Sequence, residues 1–206
     1  DFDPQTRVEN AMRDLIRIEA ILNEILDFAK PLDLNRRLCR VPEMVENALT
    51  GVGTELEATR IQVVKEYASV LAPVRADEAK MQQVFLSIFK NAIEAMTPGG
   101  ILTISMSNQR AGRHLEVQIL IKNNGTPIPP EHVDKVFEPF FTTKRSGTGL
   151  GLATVKKIVE EHQGNIAISG TPGEGTTVTI RLPGVSRGPA HRYRGRGRRP
   201  PRRPTN

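Results

Sequence analysis

Apolar residues recur at three- and four-residue steps in long stretches of this chain, and alternate with polar ones in shorter stretches between them. Val8, Ala11, Leu15, Ile18, Leu22, Ile25 and Ala29 keep a strict 3-4 spacing, the seam of a coiled coil, and Met12, Ile21, Leu26 and Phe28 widen the apolar surface beyond one seam. Asp3 and Pro4 suit an N-cap and a first helical position, and Pro31 stops the helix near Lys30. A helix of about 40 Å with this much apolar surface cannot stand alone. A second amphipathic helix is predicted over 77–96, with Met81, Val84, Phe85, Ile88, Phe89, Ala92 and Ala95 on one face, Asp77 as its cap and TPGG as its end. A third begins at GTGLGL and carries Leu152, Val155, Ile158 and Val159.

Between these helices the pattern predicts a strand near 35–41, a helix 42–58 begun by Pro42, and strands at 61–67, 101–107, 115–122, 165–170 and 176–182. His132 opens a short helix. Helices separated from a run of mostly antiparallel strands predict an α+β fold, a two-layer α/β sandwich with a mixed sheet under helices and the N-terminal helix added to it. No internal repeat is found.

Composition changes this picture in one place. The eight arginines of 184–206, with no acidic residue among them, account for the basic balance, and without that tail the formal charge falls from +6 to −2. RYRGRGRRPPRRP has too little apolar content to pack and reads as a disordered extension. Electrostatic binding of nucleic acid by this tail is an alternative function, but nucleic acid is not the partner expected. The single Cys39 excludes an internal disulfide and fits a reducing compartment. No run approaches a membrane span and no segment reads as a signal peptide, so a cytoplasmic location is expected, with membrane anchoring left to upstream segments of a full-length protein.

Four stretches carry candidate chemistry: QQVFLSIFKNAIEAM (82–96), IKNNGTPIPPE (121–131), FEPFFTTK (137–144) and GTGLGL (147–152). Asn91 lies beside the apolar stripe of its helix, where it reads either as a solvated amide or as an oxygen donor reaching a cleft. LEVQILIKNN is a strand broken by the turn residues NNGTPIPP. In GTGLGL the glycines precede a helix, so main-chain amides and the positive end of the helix dipole can hold an anion. FEPFF supplies an apolar hinge with Phe137 and Phe140 anchoring its base, and Thr142, Thr143 and Lys144 supply donors and a positive charge.

In this order the four stretches resemble the N, G1, F and G2 boxes of the ATP-binding domain of sensor histidine kinases, members of the Bergerat-fold or GHKL ATPases. The resemblance runs from about Asp3 to Pro183 and implies binding of ATP and Mg²⁺. It implies Asn91 as the metal ligand, with Glu94 one turn on near the metal's waters. It implies nucleotide contacts from Asn123, Gly125, Thr142, Thr143 and Lys144, from Gly147, Thr148, Gly149, Leu150, Gly151 and Leu152, and from Thr176.

Three positions depart from the family pattern. Asn123 stands where an Asp usually accepts from the adenine amine; an amide can accept there and also donate to the adjacent ring nitrogen. Pro127 stands for a glycine and excludes a left-handed backbone. Ser87 stands where ATP-hydrolysing relatives carry a Glu base and histidine kinases usually an Asn, so ATP is expected to be kept for a strong nucleophile.

The resemblance extends to the first helix, which is similar to the second helix of a dimerisation and phosphotransfer hairpin. None of His114, His132, His162 and His191 has the setting of the family's phosphoacceptor. His114 falls in a hairpin loop and His162 at the negative end of the last helix. The expected domains are therefore 1–31, a hairpin helix; 32–183, the ATP-binding catalytic domain; and 184–206, the tail. The expected function is phosphoryl transfer from Mg·ATP to a histidine outside the chain, with a response regulator receiver domain as partner and a homodimer through the first helix. The alternative is a degenerate nucleotide-binding or regulatory module without kinase activity.

Overall fold

The computed structural model describes residues 4–112, 114–144 and 147–185, with α1 spanning Pro4–Ala29 and β1 Arg37–Cys39. Helices α2 (Val41–Gly51) and α3 (Gly53–Thr59) follow, then β2 (Gln62–Tyr67), β3 (Val74–Ala76) and α4 (Glu78–Ala95). The rest is β4 (Ile101–Ala111), β5 (His114–Asn123), α5 (Pro130–Val133), α6 (Gly151–Glu161), β6 (Asn165–Thr171) and β7 (Gly175–Pro183). Residues 186–206, which hold His191 and most of the tail expected to be disordered, lie outside the described residues.

The main sheet has the order β2-β4-β5-β7-β6. Only β2 and β4 run parallel; the other neighbours are antiparallel. One sheet face carries α2, α4 and α6, and the core forms between the layers. Leu102, Ile104 and Met106 of β4, Val117, Ile119 and Ile121 of β5, and Val178, Ile180 and Leu182 of β7 all point into it. They meet the stripe predicted for α4, in which Phe85 and Phe89 are fully buried with ring centroids 6.3 Å apart. Burying each such side chain stabilises the fold by about 1.5–3 kcal/mol. Asp77 caps α4 as expected, accepting from the amide of Lys80 at 3.1 Å.

Several details differ from the sequence reading. The helix expected over 42–58 is two helices broken at Val52 (φ −113°, ψ 14°), a buried residue between two glycines. Glycine weakens the helix there, and Gly51 packs so close to Leu86 of α4 that a Cβ would lie 2.8 Å from it. Strand β3 was not expected; it pairs with β1 in a separate antiparallel ribbon. The hairpin strands β4 and β5 run further toward their turn, so His114 begins β5 opposite Ala111 instead of lying in a loop. Just after β7, the amides of Gly184 and Val185 donate to the carbonyls of Leu115 (2.8 Å) and Pro73 (2.7 Å).

Helix α1 exposes Val8, Leu15, Ile18, Leu22 and Ile25 of the predicted seam, and Met12 beside it. Its C-terminal end is tied to α6, where Lys157 Nζ donates to the carbonyls of Phe28 (2.7 Å) and Lys30 (2.9 Å). The segment that follows is tied to both inner helices: the amide of Asn35 donates to Asp77 Oδ2 at 2.9 Å, and Arg36 donates to the carbonyl of Glu161. Among the described residues, no helix is long and apolar enough to cross a membrane.

Candidate nucleotide site

A cavity of about 700 Å³ opens between α4, α6 and the segment joining β5 to α6. Its floor follows from strand periodicity. Alternation along β5 puts Asn123 on the same face as Val117, Ile119 and Ile121, and alternation along β7 puts Thr176 on the face of Val178 and Ile180. The two polar residues are partners in register at the strand ends. Both are buried, Asn123 at 5% and Thr176 at 6% exposure. Thr176 Oγ1 accepts from the amide of Ile128 at 3.2 Å. Asn123 Nδ2 is buried with no hydrogen-bond partner. An orphaned donor at this depth costs about 1–3 kcal/mol, which a ligand acceptor in the cavity would recover.

Residues 124–129 form the next wall. The amide of Thr126 donates to the carbonyl of Ala95 at 2.8 Å, joining the loop to the end of α4. Gly125 stands behind the cavity wall, where a Cβ would overlap that same carbonyl oxygen. None of these residues adopts a positive φ, so Pro127 fits without the left-handed turn that a glycine permits. Pro127 and Ile128 line the cavity with His132 of α5. His132 Nδ1 is likewise buried without a partner, and its ring meets Phe141 edge-on at 5.3 Å.

Asn91 lines the opposite side on α4, and Ser87 lies one turn before it. Asn91 Oδ1 accepts from Lys144 Nζ at 2.7 Å, and the same ammonium is paired with Glu94. Thr142, Thr143 and Lys144 all line the cavity. Thr142 Oγ1 accepts from the Lys144 amide at 3.1 Å, which folds back the end of the segment 137–144, a lid over the cavity.

The aromatic anchor of the lid is not as expected. Phe137 packs against the core, but Phe140 is 63% exposed with φ 70°. Its place is set by the main chain: the amide of Phe140 donates to the carbonyl of Gly149 at 3.0 Å. Gly149 itself has φ 72°, and a Cβ on it would overlap the Phe140 carbonyl carbon. Two left-handed backbones thus pass in contact, and the ring is turned outward. Val136, buried, fills the core below.

Gly147, Thr148, Gly149, Gly151 and Leu152 line the cavity at the start of α6, whereas Leu150 is 1% exposed and packs inward. The first-turn amides of α6 have no intrahelical acceptor and carry the positive end of the dipole. Ser87 is close by: a Cβ on Gly151 would lie 3.3 Å from its Oγ. Two polar lining residues, His132 and Glu24, lie outside the four stretches and were not expected at the site. Glu24 comes from α1 and accepts from Thr148 Oγ1. Among the described residues no cluster of His, Cys, Asp or Glu can hold a metal by itself. A Mg²⁺ shared among one amide oxygen, phosphates and waters needs no such cluster.

A two-layer sandwich whose lidded cleft is floored by strand ends and closed by a glycine turn opening a helix defines an ATP-binding domain of the Bergerat type. The family described as Histidine kinase-, DNA gyrase B-, and HSP90-like ATPase matches residues 76–186, and the chain belongs to it. Sensor histidine kinase ZraS of Escherichia coli (strain K12) is 33% identical over 167 residues, which are 81% of this chain and 35% of that protein. The chain therefore spans about a third of the length of this relative. The catalytic domain of histidine kinase ThkA superimposes with a TM-score of 0.64 at 28% identity, covering 74% of this chain and 97% of that one. ThkA in complex with response regulator protein TrrA gives a TM-score of 0.73 at 28% identity, over 90% of this chain and 53% of that one. ATP is the nucleotide of this family.

Proposed function

We propose that this chain is the ATP-binding catalytic part of a sensor histidine kinase, which transfers the γ-phosphoryl of Mg·ATP to the imidazole of a histidine outside the chain. One observation carries this reading: a buried amide with an unpaired donor, Asn123, shares a single cavity with the glycine turn of α6. A flat base fits the apolar end around Ile121, Ile128 and Val178, with Asn123 on its polar edge. The triphosphate fits the other end, against the amides of Gly149 and Gly151 and the lid donors Thr142, Thr143 and Lys144. Thr148 and Leu152 border it, with Gly125 and Leu150 supporting the two loops from behind.

The donor set also suits a divalent cation. The Lys144 ammonium on Asn91 Oδ1 is a positive charge standing where Mg²⁺ would be held by Asn91. When bound, the metal supplies charge neutralisation between phosphate oxygens. Asn91 would hold it through Oδ1, Lys144 would face the phosphates, and the lid would exclude water. Ser87 offers no base, so water is not activated and the γ-phosphoryl is retained for an imidazole.

Residues 1–31 are assigned to a dimerisation hairpin, a reading supported by the exposed apolar stripe of α1, and 32–183 to the catalytic domain. The partner proposed is a response regulator receiver domain, as in the complex of the similar ThkA. The test is phosphorylation of a separately supplied hairpin helix carrying the acceptor histidine, with γ-labelled ATP and Mg²⁺. Label on that helix in acid-labile form is the expected result; ATP binding without transfer to any such helix would favour the regulatory module instead.

A further inference from the structure

We propose that the base pocket accepts 6-oxopurine nucleoside triphosphates as well as ATP, because Asn123 presents an amide that can meet the 1,6 edge of a purine in either sense. This rests on the nucleotide-site reading above and names the substrate class of that site.

Three observations bear on it. Asn123 is 5% exposed, on the core face at the end of β5, and lines the cavity. Its Nδ2 is buried without a partner, so no hydrogen bond to that nitrogen locks the amide in one orientation. Its register partner Thr176 does not lock it either, since the Thr176 hydroxyl accepts from the Ile128 amide at 3.2 Å and donates to the Thr126 carbonyl at 3.5 Å. The walls beside Asn123 include Ala92, Ile121, Ile168 and Val178, which hold a flat ring without reading its edge.

Adenine presents a donor at the 6-amine and an acceptor at N1. A 6-oxopurine presents the reverse, an acceptor at O6 and a donor at N1. A carboxylate offers acceptors only. One of its oxygens pairs with the adenine amine but sets lone pairs against O6, while the other sets lone pairs against adenine N1 but accepts from the N1–H of a 6-oxo ring, so a carboxylate leaves each base half paired. An amide carries one donor and one acceptor, and a half-turn about its last torsion exchanges them. With Asn123, both kinds of base can be fully paired: Oδ1 to the 6-amine and Nδ2 to N1 for adenine, Nδ2 to O6 and Oδ1 to N1–H for the 6-oxo ring. The chemistry that distinguishes the two bases at this position is absent from the side chain.

The experiment uses ATP and inosine triphosphate, which has the 6-oxo edge and no 2-amino group, titrated with Mg²⁺ into the full chain by calorimetry. Inosine triphosphate is expected to bind within about tenfold of ATP. In Asn123→Leu both nucleotides are expected to bind more than about tenfold weaker, since neither edge keeps a partner. ATP binding together with inosine triphosphate more than about tenfold weaker in the parent chain, or affinities for both nucleotides that Asn123→Leu leaves unaltered, overturns the inference. The parent-chain ratio needs no variant and decides alone if the substituted chain does not fold. If the parent chain binds neither nucleotide, the nucleotide-site reading itself is overturned.

Discussion

The ammonium of Lys144 donates to Oδ1 of Asn91 at 2.7 Å, so a lid residue covers the one oxygen proposed to face the metal. The contact is shallow: Lys144 and its second partner Glu94 are 46% and 58% exposed. An exposed pair of this kind contributes under about 1 kcal/mol, so a metal-bound triphosphate can draw the lysine away. For Asn91→Ala we expect the Mg²⁺-dependent part of ATP binding to vanish, with equal affinities in Mg²⁺ and in chelator. The melting temperature should move by no more than about 2–4 °C. Calorimetry in the two buffers checks this; a persisting Mg²⁺ effect would remove Asn91 from the metal site.

Gly149→Ala tests the turn before α6. A left-handed backbone costs a non-glycine residue about 1–2 kcal/mol, and here the added methyl also meets the main chain of Phe140. ATP affinity should fall more than about tenfold while the sheet and α4 stay folded, as read by far-ultraviolet dichroism. Wild-type affinity would mean that the lid base tolerates rearrangement and does not set the phosphate site.

Asn123→Leu should separate binding from stability. The substitution removes a buried unpaired donor that costs the fold about 1–3 kcal/mol, and the cavity beside it leaves room for the larger side chain. The melting temperature is expected to hold or rise, while ATP binding weakens more than about tenfold because the adenine amine loses its partner. Binding equal to the parent chain would place the base elsewhere.

Ser87 lines the cavity close to Gly151, where hydrolysing relatives of the fold are expected to carry a base. The chain alone should neither label itself nor release phosphate at a rate above its buffer control, when followed with γ-labelled ATP. Acid-labile phosphate appearing on the chain itself would contradict the assignment of the acceptor to a histidine outside it.

His162 makes the stability of the fold depend on pH. It is 4% exposed; its Nδ1 bonds the carbonyl of Ile158 at 2.7 Å and its Nε2 accepts from the amide of Asp77 at 2.9 Å. Burial lowers its pKa below the usual 6.5, opposed in part by the Ile158 carbonyl. The folded state therefore binds fewer protons than the unfolded one between the lowered value and 6.5. This contribution is fully present above the unfolded-state pKa and is lost as pH falls through 6.5 toward the lowered value. A proton on Nε2 would also face the Asp77 amide. Denaturant midpoints taken from pH 7.5 down to about 5 should fall for the parent chain and flatten in His162→Gln; equal slopes would shift the effect to other groups.

Much of the architecture was written in local periodicity. The three- and four-residue spacing of Met81, Val84, Phe85, Ile88 and Phe89 is the buried face of α4, and the glycines before Leu152 do open α6. Even the inward direction of Asn123 follows from its place two residues after Ile121 on a strand. Such patterns record which face of an element avoids water, and that is a property of neighbours along the chain. What they do not record is which distant atoms meet. The three-residue strand β3 has too few positions for an alternation to show, and it exists because β1 pairs with it. An apolar residue is expected inside, yet the main chain of Phe140 is held against Gly149 with its ring left exposed. Lys144 reaches Asn91 across 53 positions, and Glu24 reaches Thr148 across 124. The nitrogen of Asn123 is unpaired, while its register partner Thr176 accepts from the amide of Ile128. These relations depend on packing whole layers together, since a hydrogen bond is decided by ångströms and directions that residue type and spacing do not contain.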